Sequence, residues 1–201
     1  MTKNSSNNTK INAIRLNVQD YSKIGTSNGI TNGGNLSIST GNVSLNNDGQ
    51  INTGSNNLGA AGEITITTNS LFIRDGATLN VNSGSISDGL AGNISLKVDD
   101  LLLLRLVPKP SAINDDSNNS AAGGNIAINV PNGFIVALPA ELSAIAAGNI
   151  NSGAAGSITV TASSIFLTTV PEPSAIAGII LAVSLAWLAK KKQAAFPKAK
   201  V

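Results

Sequence analysis

A six-residue phrase that recurs five times at nearly constant spacing limits the fold of this chain more than any other feature. The second glycine of each phrase is, in order, Gly34, Gly62, Gly92, Gly124 and Gly156, at intervals of 28, 30, 32 and 32 residues. Two and four residues after the glycine, apolar side chains alternate with small or polar ones, which is the period of a half-buried strand. These apolar pairs are Leu36 and Ile38, Ile64 and Ile66, Ile94 and Leu96, Ile126 and Ile128, and Ile158 and Val160. Self-similarity at such a period predicts a solenoid.

Further apolar positions predict two more strands in each repeat. The positions nine and eleven residues after the glycine hold Val43 and Leu45, Leu71 and Ile73, Leu101 and Leu103, and Ile165 and Leu167. If Pro131 is an inserted residue, Phe134 and Val136 complete the fourth copy. Eleven residues before the next glycine lie Ile51, Val81, Ile113 and Ile145. Three short strands per coil predict an all-β, right-handed parallel β-helix. A stacked hairpin solenoid or a β-sandwich is the alternative, but a sandwich would not keep a glycine-anchored phrase in register five times.

The predicted repeat domain covers residues 11–169 and follows a polar, disordered start at residues 1–10. The repeat lengthens between its second and third strands, which predicts protruding loops at roughly 104–112 and 139–144. Ile14, Leu16 and Val18 resemble a second strand, so we expect the chain to begin partway through a coil. Because residues 1–10 contain no apolar segment of a signal peptide, we expect this chain to be the carboxy-terminal piece of a longer protein.

The carboxy-terminal residues form a separate segment at 170–192, followed by a tail at 193–201. It begins with Val170, Pro171, Glu172, Pro173 and Ser174, where the two prolines keep the backbone extended. The apolar run at 175–189 carries no charge and predicts a transmembrane helix, which would be about 22 Å long. The predicted anchors at the membrane interface are Trp187, Lys190, Lys191 and Lys192. A lysine cluster after the span predicts a cytoplasmic carboxy terminus and an exported body.

This order of motif, apolar span and basic cluster resembles the PEP-CTERM sorting signal of bacteria, and Val170 to Ser174 carry its most specific part. The resemblance implies processing near the Pro-Glu-Pro motif by a partner, an exosortase-type membrane enzyme. The protein would then reach the cell envelope, the cell surface or the extracellular matrix. A plain carboxy-terminal membrane anchor and a buried core helix are the alternatives. The signal differs from the usual pattern in its Lys cluster, where Arg is more common, and in its longer tail.

The repeat itself resembles the β-helical shaft of filamentous-haemagglutinin-like exoproteins, the large adhesins of two-partner secretion. The stretch from Gly123 to Ala137, with its Gly-Gly-Asn-Ile-Ala-Ile core, carries this resemblance best. It implies a surface or secreted filament that contacts extracellular polysaccharide or other cell surfaces. The amino-terminal secretion domain of that family is not present in the sequence.

Composition excludes several classes of chemistry. The chain has neither Cys nor His, so thiol chemistry and the commonest general base are absent, and we predict no cofactor and no metal site. Residues 1–169 carry eight Lys and Arg against ten Asp and Glu, a net charge of 8 − 10 = −2, which does not favour nucleic acid as a partner. Charged residues that border strands are the remaining candidates for acid–base chemistry: Arg74, Asp75, Lys97, Asp99, Asp100, Asp115 and Asp116. Since Asp favours turns, we interpret them as solvated turn charges.

The sequence therefore predicts a non-enzymatic, exported β-helical protein with an adhesive or structural role. One alternative is a β-helical carbohydrate-active enzyme. It requires convergence in one groove of at least three of Asp75, Lys97, Asp99, Asp100, Asp115 and Asp116. Another is a nonfunctional carboxy-terminal fragment of a larger adhesin.

Overall fold

The computed structural model describes residues 8–28, 32–55, 59–83, 90–105, 109, 111–117, 122–138, 145–149 and 154–167. These residues form eleven strands that alternate between long and short. The long strands are β1 (Thr9–Val18), β3 (Leu36–Leu45), β5 (Ile64–Ile73), β7 (Ile94–Arg105), β9 (Ile126–Leu138) and β11 (Ile158–Leu167). The short strands are β2 (Lys23–Asn28), β4 (Gln50–Ser55), β6 (Thr78–Ser83), β8 (Ala112–Ser117) and β10 (Ile145–Asn149).

Every strand pairs in parallel with its equivalent in the neighbouring repeat. The long strands form a six-stranded sheet in the order β1-β3-β5-β7-β9-β11, and the short strands form a five-stranded sheet in the order β2-β4-β6-β8-β10. Parallel pairing requires a crossover between paired strands, and here each crossover is the other half of the same turn. The fold is therefore a parallel β-solenoid, which confirms the predicted all-β class.

Each turn contains two strands where the sequence predicted three. The first and second predicted strands form one long strand, in which the inward-facing positions shift by one residue. In β3, Leu36, Ile38 and Thr40 are buried and so are Val43 and Leu45, which places the shift at Gly41 and Asn42. The ladder between β1 and β3 skips one residue at this corner. The shift lets both halves of the strand face the core although the strand bends.

The predicted register is correct in the second and third long strands and wrong in the next two. In the second half of β7 the buried residues are Leu102 and Leu104, and these pair with Leu71 and Ile73. The sequence pattern predicts Leu101 and Leu103 as the side chains that face the core. In β9 the residues that continue this ladder are Ile135 and Ala137, where Phe134 and Val136 were predicted. The cause is extra residues at the corner, where the pairing of β7 with β9 skips from Lys97 to Leu101.

One of the inward columns of the short sheet was only partly predicted. Ile24, Ile51, Leu79, Ile113 and Ile145 pair with one another along the stack. The predicted column contained Val81 at the position that Leu79 occupies. Val81 instead pairs with Thr53 and Asp115, two residues further along. The sequence distance from the last buried residue of the long strand to this column is six positions in two successive turns, from Leu45 to Ile51 and from Ile73 to Leu79. The predicted lengthening at the second of these turns is therefore wrong.

The start of the repeat and the predicted loops also differ from expectation. Residues 9–13 of β1 pair with Leu36 to Thr40, so they occupy the position of the first predicted strand. The prediction that the solenoid starts at a second strand is therefore wrong. Ile14 lies at the corner and is 90% exposed. Leu104 is buried in β7, so it does not belong to a protrusion. Residues 106–108, 110 and 139–144 of the predicted loops lie outside the described residues.

The core is one continuous apolar cluster between the two sheets, and the repeated glycines allow the backbone to close around it. A Cβ on Gly62 would collide with the carbonyl oxygen of Gly34, and one on Gly92 would collide with that of Gly62. Gly124 and Gly156 have the same relationship to the preceding glycine. Successive backbones are about 4.8 Å apart in a sheet, so no side chain fits between them at this corner. This steric limit explains why the phrase keeps its second glycine.

Asparagine side chains join the turns on the outside of the same corner. The Asn35 Oδ1 accepts a hydrogen bond from the Glu63 backbone N–H at 2.9 Å. In later turns the Asn93 Oδ1 accepts from the Asn125 N–H at 3.0 Å, and the Asn125 Oδ1 accepts from the Ser157 N–H at 3.0 Å. Each side chain satisfies a backbone donor that lies between strands, so the third residue of the phrase stabilises the stacking of consecutive turns.

Candidate functional site

The predicted sorting segment lies outside the described residues. This applies to Val170 to Ser174, to the predicted helix at 175–189 and to its anchors Trp187 and Lys190 to Lys192. In the part of the chain that is described, no helix has the length and apolar character needed to cross a membrane. The functional geometry that the structure provides belongs to the solenoid.

The candidate charged residues lie on four different features of the solenoid. Asp75 lies in the turn after β5 with a positive φ of 57°. Lys97 is exposed on β7, where it pairs with Thr67 and Asn129. Asp99 and Asp100 follow at the corner of β7. Asp115 is part of β8 in the other sheet. Among the described residues, no three acidic side chains are close enough together to hold a metal ion.

Asp115 is not the solvated turn charge that the sequence predicted. Its side chain faces the interior of the solenoid and is 0% exposed. It occupies the inward column of the short sheet that holds Thr26, Thr53 and Val81 in the earlier turns. A Cβ on Gly124 would collide with both of its carboxylate oxygens, so the carboxylate packs directly against that glycine. The side chain of its neighbour Asp116 lies outside the described set.

Threonines in the same column show what this position does elsewhere. The Thr53 hydroxyl donates a hydrogen bond to the Gly62 carbonyl oxygen at 2.7 Å, and the Thr26 hydroxyl donates to that of Gly34. Both threonines are buried. The column therefore places a polar group against the glycine corner in the first two of these turns, Val81 occupies it in the third, and Asp115 returns a polar group to it in the fourth.

A cleft on the outer face of the long sheet brings together two arginines and an aromatic ring. The cleft has a volume of about 360 Å³ and is lined by Arg15, Asn42, Ser44, Phe72 and Arg74. Its residues come from three consecutive turns, because Arg15 pairs with Asn42 in the ladder and Ser44 pairs with Phe72. The alternation of β3 and β5 buries Val43, Leu45, Leu71 and Ile73, so the residues between them face outward.

The cleft is electropositive. Two of its five lining side chains are guanidinium groups, and none is acidic. Within the described residues the one ion pair joins Lys109 and Asp48, so neither Arg15 nor Arg74 is neutralised by a carboxylate there. The Arg74 Nε is buried and has no hydrogen-bond partner among the described residues. Because this atom has almost no accessible surface, a ligand in the cleft cannot reach it unless the Arg74 side chain moves.

A second polar cluster lies on the turns that connect the long and the short strands. The Lys109 ammonium donates a hydrogen bond to the Asp48 carboxylate and lies 5.6 Å from the centre of the Tyr21 ring. The hydrogen bond to Asp48 raises the pKa of Lys109 above its ordinary value of 10.5, although desolvation opposes part of this shift. Asn47 and Asp48 both have positive φ, as do Asp20 and Tyr21, which gives these turns their tight two-residue form.

The sequence did not reveal the cleft. Its five residues alternate with core positions, so their outward direction follows only when the register of each strand is known. Arg15 and Arg74 are 59 positions apart in the sequence, and no motif connects them. The signal that was available is the presence of an arginine beside the apolar pair in three repeats, at Arg15, Arg74 and Arg105.

No protein-family model, curated protein or solved structure matches this chain. The fold and the geometry of the cleft are therefore the basis for a functional proposal.

Proposed function

We propose that this chain is a non-enzymatic, exported β-helical protein with an adhesive or structural role at the cell envelope. In this proposal the solenoid is the right-handed form expected from the sequence, which agrees with the strong preference of parallel crossovers for that hand. The carboxy-terminal segment at 170–192 delivers the body to the membrane through the predicted helix at 175–189. An exosortase-type membrane enzyme then processes it near Pro171 to Pro173.

The observation that carries the adhesive role is the electropositive cleft across three turns of the long sheet. The parallel strands fix the backbone positions of Arg15 and Phe72, and Arg74 directly follows β5, so none of the three belongs to a long loop. A fixed backbone reduces the conformational entropy that is lost when a ligand binds, which favours recognition. The ladders of Asn, Ser and Thr on the outer surface add polar groups that suit contact with a hydrated polymer.

Export can be tested by fusing a cleavable signal peptide to the chain and expressing the fusion in a bacterium with an exosortase-type enzyme. Intact cells are then treated with a protease that cannot enter them. We expect the solenoid to be digested or released from the outside, while a cytoplasmic marker protein remains intact. Complete protection of the solenoid on intact cells, with digestion only after lysis, would contradict the proposed location.

A further inference from the structure

We propose that the cleft lined by Arg15, Asn42, Ser44, Phe72 and Arg74 binds an anionic sugar unit of an acidic polysaccharide. This inference rests on the proposed adhesive function and names the ligand class and the site. The ligand carries a carboxylate or a sulfate group on a sugar ring.

The two guanidinium groups indicate that the ligand carries a negative charge. Arg15 and Arg74 line the same cleft, and no acidic side chain lines it with them. Guanidinium groups bind carboxylate and sulfate oxygens through paired N–H donors, with stronger and more directional hydrogen bonds than neutral donors provide. The Arg74 Nε itself is buried, so contact with the anion falls to the other N–H donors of the two guanidinium groups.

The sugar ring is indicated by the other lining residues. Phe72 is half-buried and supplies an aromatic side chain beside the two cations, against which the C–H face of a sugar ring can pack. Asn42 and Ser44 supply an amide and a hydroxyl, which can bind sugar hydroxyl groups as donors or acceptors. An aromatic surface with a few convergent polar groups is the usual composition of a small-molecule site, and the volume of about 360 Å³ is in the range of such sites.

The charge distribution favours a polysaccharide over nucleic acid. Nucleic acids carry a phosphate charge every few ångströms, and proteins that bind them neutralise many phosphates with a basic surface. Here two cations lie in one cleft, while residues 1–169 have a net charge of 8 − 10 = −2. A polymer with more widely spaced charges, on rings that pack against Phe72, fits this distribution better.

The test is a binding titration of the full-length chain in detergent micelles. The carboxylate probe is an oligogalacturonate, and its fully methyl-esterified counterpart is the matched neutral probe. A sulfated and an unsulfated dextran oligosaccharide form the second pair. We expect binding of at least one acidic probe and at least tenfold weaker binding of its neutral partner. Equal binding of the acidic and neutral members of both pairs, or no binding of either acidic probe, would overturn the proposal.

Substitutions of the lining residues test whether the ligand binds in the cleft. Arg15→Gln and Arg74→Gln should each weaken binding by roughly tenfold or more, because each removes a charge-assisted hydrogen bond. Phe72→Leu should also weaken it by several fold. Arg105→Gln is the matched control, since Arg105 belongs to the same sheet at β7 but does not line the cleft, and it should change binding by less than twofold. Equal losses in the Arg105 and Arg74 variants would show nonspecific attraction and refute the site.

Two further measurements separate a loss of binding from a loss of folding, and sugar recognition from simple anion binding. Circular dichroism of each variant shows whether the solenoid is folded, and Arg15→Lys provides a second substitution at the more exposed arginine that keeps the charge. Inorganic sulfate at the same concentration tests for an anion site without sugar recognition, and displacement of the acidic probe at equal concentrations would refute a sugar site. Binding to purified protein is independent of export, so a failure here is distinguishable from a failure of the proposed function.

Discussion

The Lys109 ammonium donates a hydrogen bond to the Asp48 carboxylate across 61 positions of the sequence and two turns of the solenoid. The turn at Gly76 lies between them, because the Asp48 N–H donates to the Asp75 carbonyl and the Gly76 N–H donates to that of Lys109. The lysine side chain passes over Gly76, where a Cβ would come within 2.7 Å of the Lys109 Cδ. Gly76 also has a positive φ of 81°, so this turn needs glycine for its backbone as well as for the space.

Replacement of Lys109 by Gln should lower the melting temperature slightly. The ammonium is 52% exposed, so water screens much of its attraction to Asp48. The pKa of Lys109 is raised in the folded protein, so the contribution of the ion pair is complete below the unfolded pKa and is lost as the pH rises through the folded pKa. Urea titrations should therefore show a difference in the free energy of unfolding from wild type at pH 8. This difference should shrink as the pH rises past the ordinary value of 10.5 and disappear only above the raised pKa of Lys109 in the folded protein.

Lys97→Gln is the control for this pair, since Lys97 is exposed on the outer face of β7 and forms no ion pair within the described residues. Its stability should match that of the wild type at both pH values. If the Lys109 and Lys97 variants lose the same stability, or if the Lys109 effect persists at high pH, the ion pair across the turns does not contribute as described.

Replacement of Gly92 by Ala should destabilise the solenoid by about 1–3 kcal/mol, because the new methyl group meets the Gly62 carbonyl in the adjacent backbone. Gly54→Ala is the matched control. A Cβ on Gly54 would lie 3.1 Å from the Asn82 carbonyl oxygen, a contact that small shifts can relieve. Chemical denaturation of both variants tests the difference, and a Gly54 variant that is less stable than the Gly92 variant would contradict the steric account of the repeated glycine.

Replacement of Leu102 by Ala should cost about 2–5 kcal/mol, since Leu102 is fully buried in the core. Leu103→Ala removes the same atoms from a half-buried position on the outer face and should cost much less. Denaturation of the two variants therefore tests the register of β7 directly. A larger loss for Leu103 would restore the register that the sequence predicted.

Replacement of Asp115 by Thr should stabilise the protein. A fully buried carboxylate loses its hydration even where it has an interaction partner, and threonine occupies the equivalent position in the turns of Thr26 and Thr53. The threonine hydroxyl can donate to the neighbouring glycine carbonyl, as Thr53 does to Gly62. A higher melting temperature is the expected result, and Asp99→Thr on the exposed surface should change it little. A strong loss of stability in the Asp115 variant would show that the carboxylate is needed in the core.

These register details mark the limit of what the sequence predicts. The glycine phrase was sufficient for the parallel solenoid, because one backbone position in each turn excludes every side chain. The apolar pairs Val43 and Leu45 were assigned correctly, since each has polar neighbours. Leu101 to Leu104 form an uninterrupted apolar run, so alternation could not identify which leucines face inward. The extra residues at the β7 and β9 corners then shifted the count.

The buried Asp115 and the cleft could not be predicted for a different reason. An aspartate beside another aspartate usually lies in a solvated turn, and only its pairing with Val81 and Ala147 places Asp115 in the core. The cleft depends on contacts between turns, which join residues as distant as Arg15 and Arg74. Alternation of apolar and polar residues predicts which side chains of a strand face inward. It does not identify which residues of other turns lie beside them.

The mass of the mature carboxy terminus tests the proposed delivery to the envelope most directly. The chain is expressed with an added signal peptide in a bacterium that has an exosortase-type enzyme, and the carboxy-terminal peptide is identified by mass spectrometry. Glu172→Gln in the Pro171 to Pro173 motif is the matched variant and should reduce processing. The proposal predicts a mature protein that ends near this motif and lacks Lys190 to Lys192. A mature protein that retains Lys190, Lys191 and Lys192 would contradict processing and leave the segment as a plain membrane anchor.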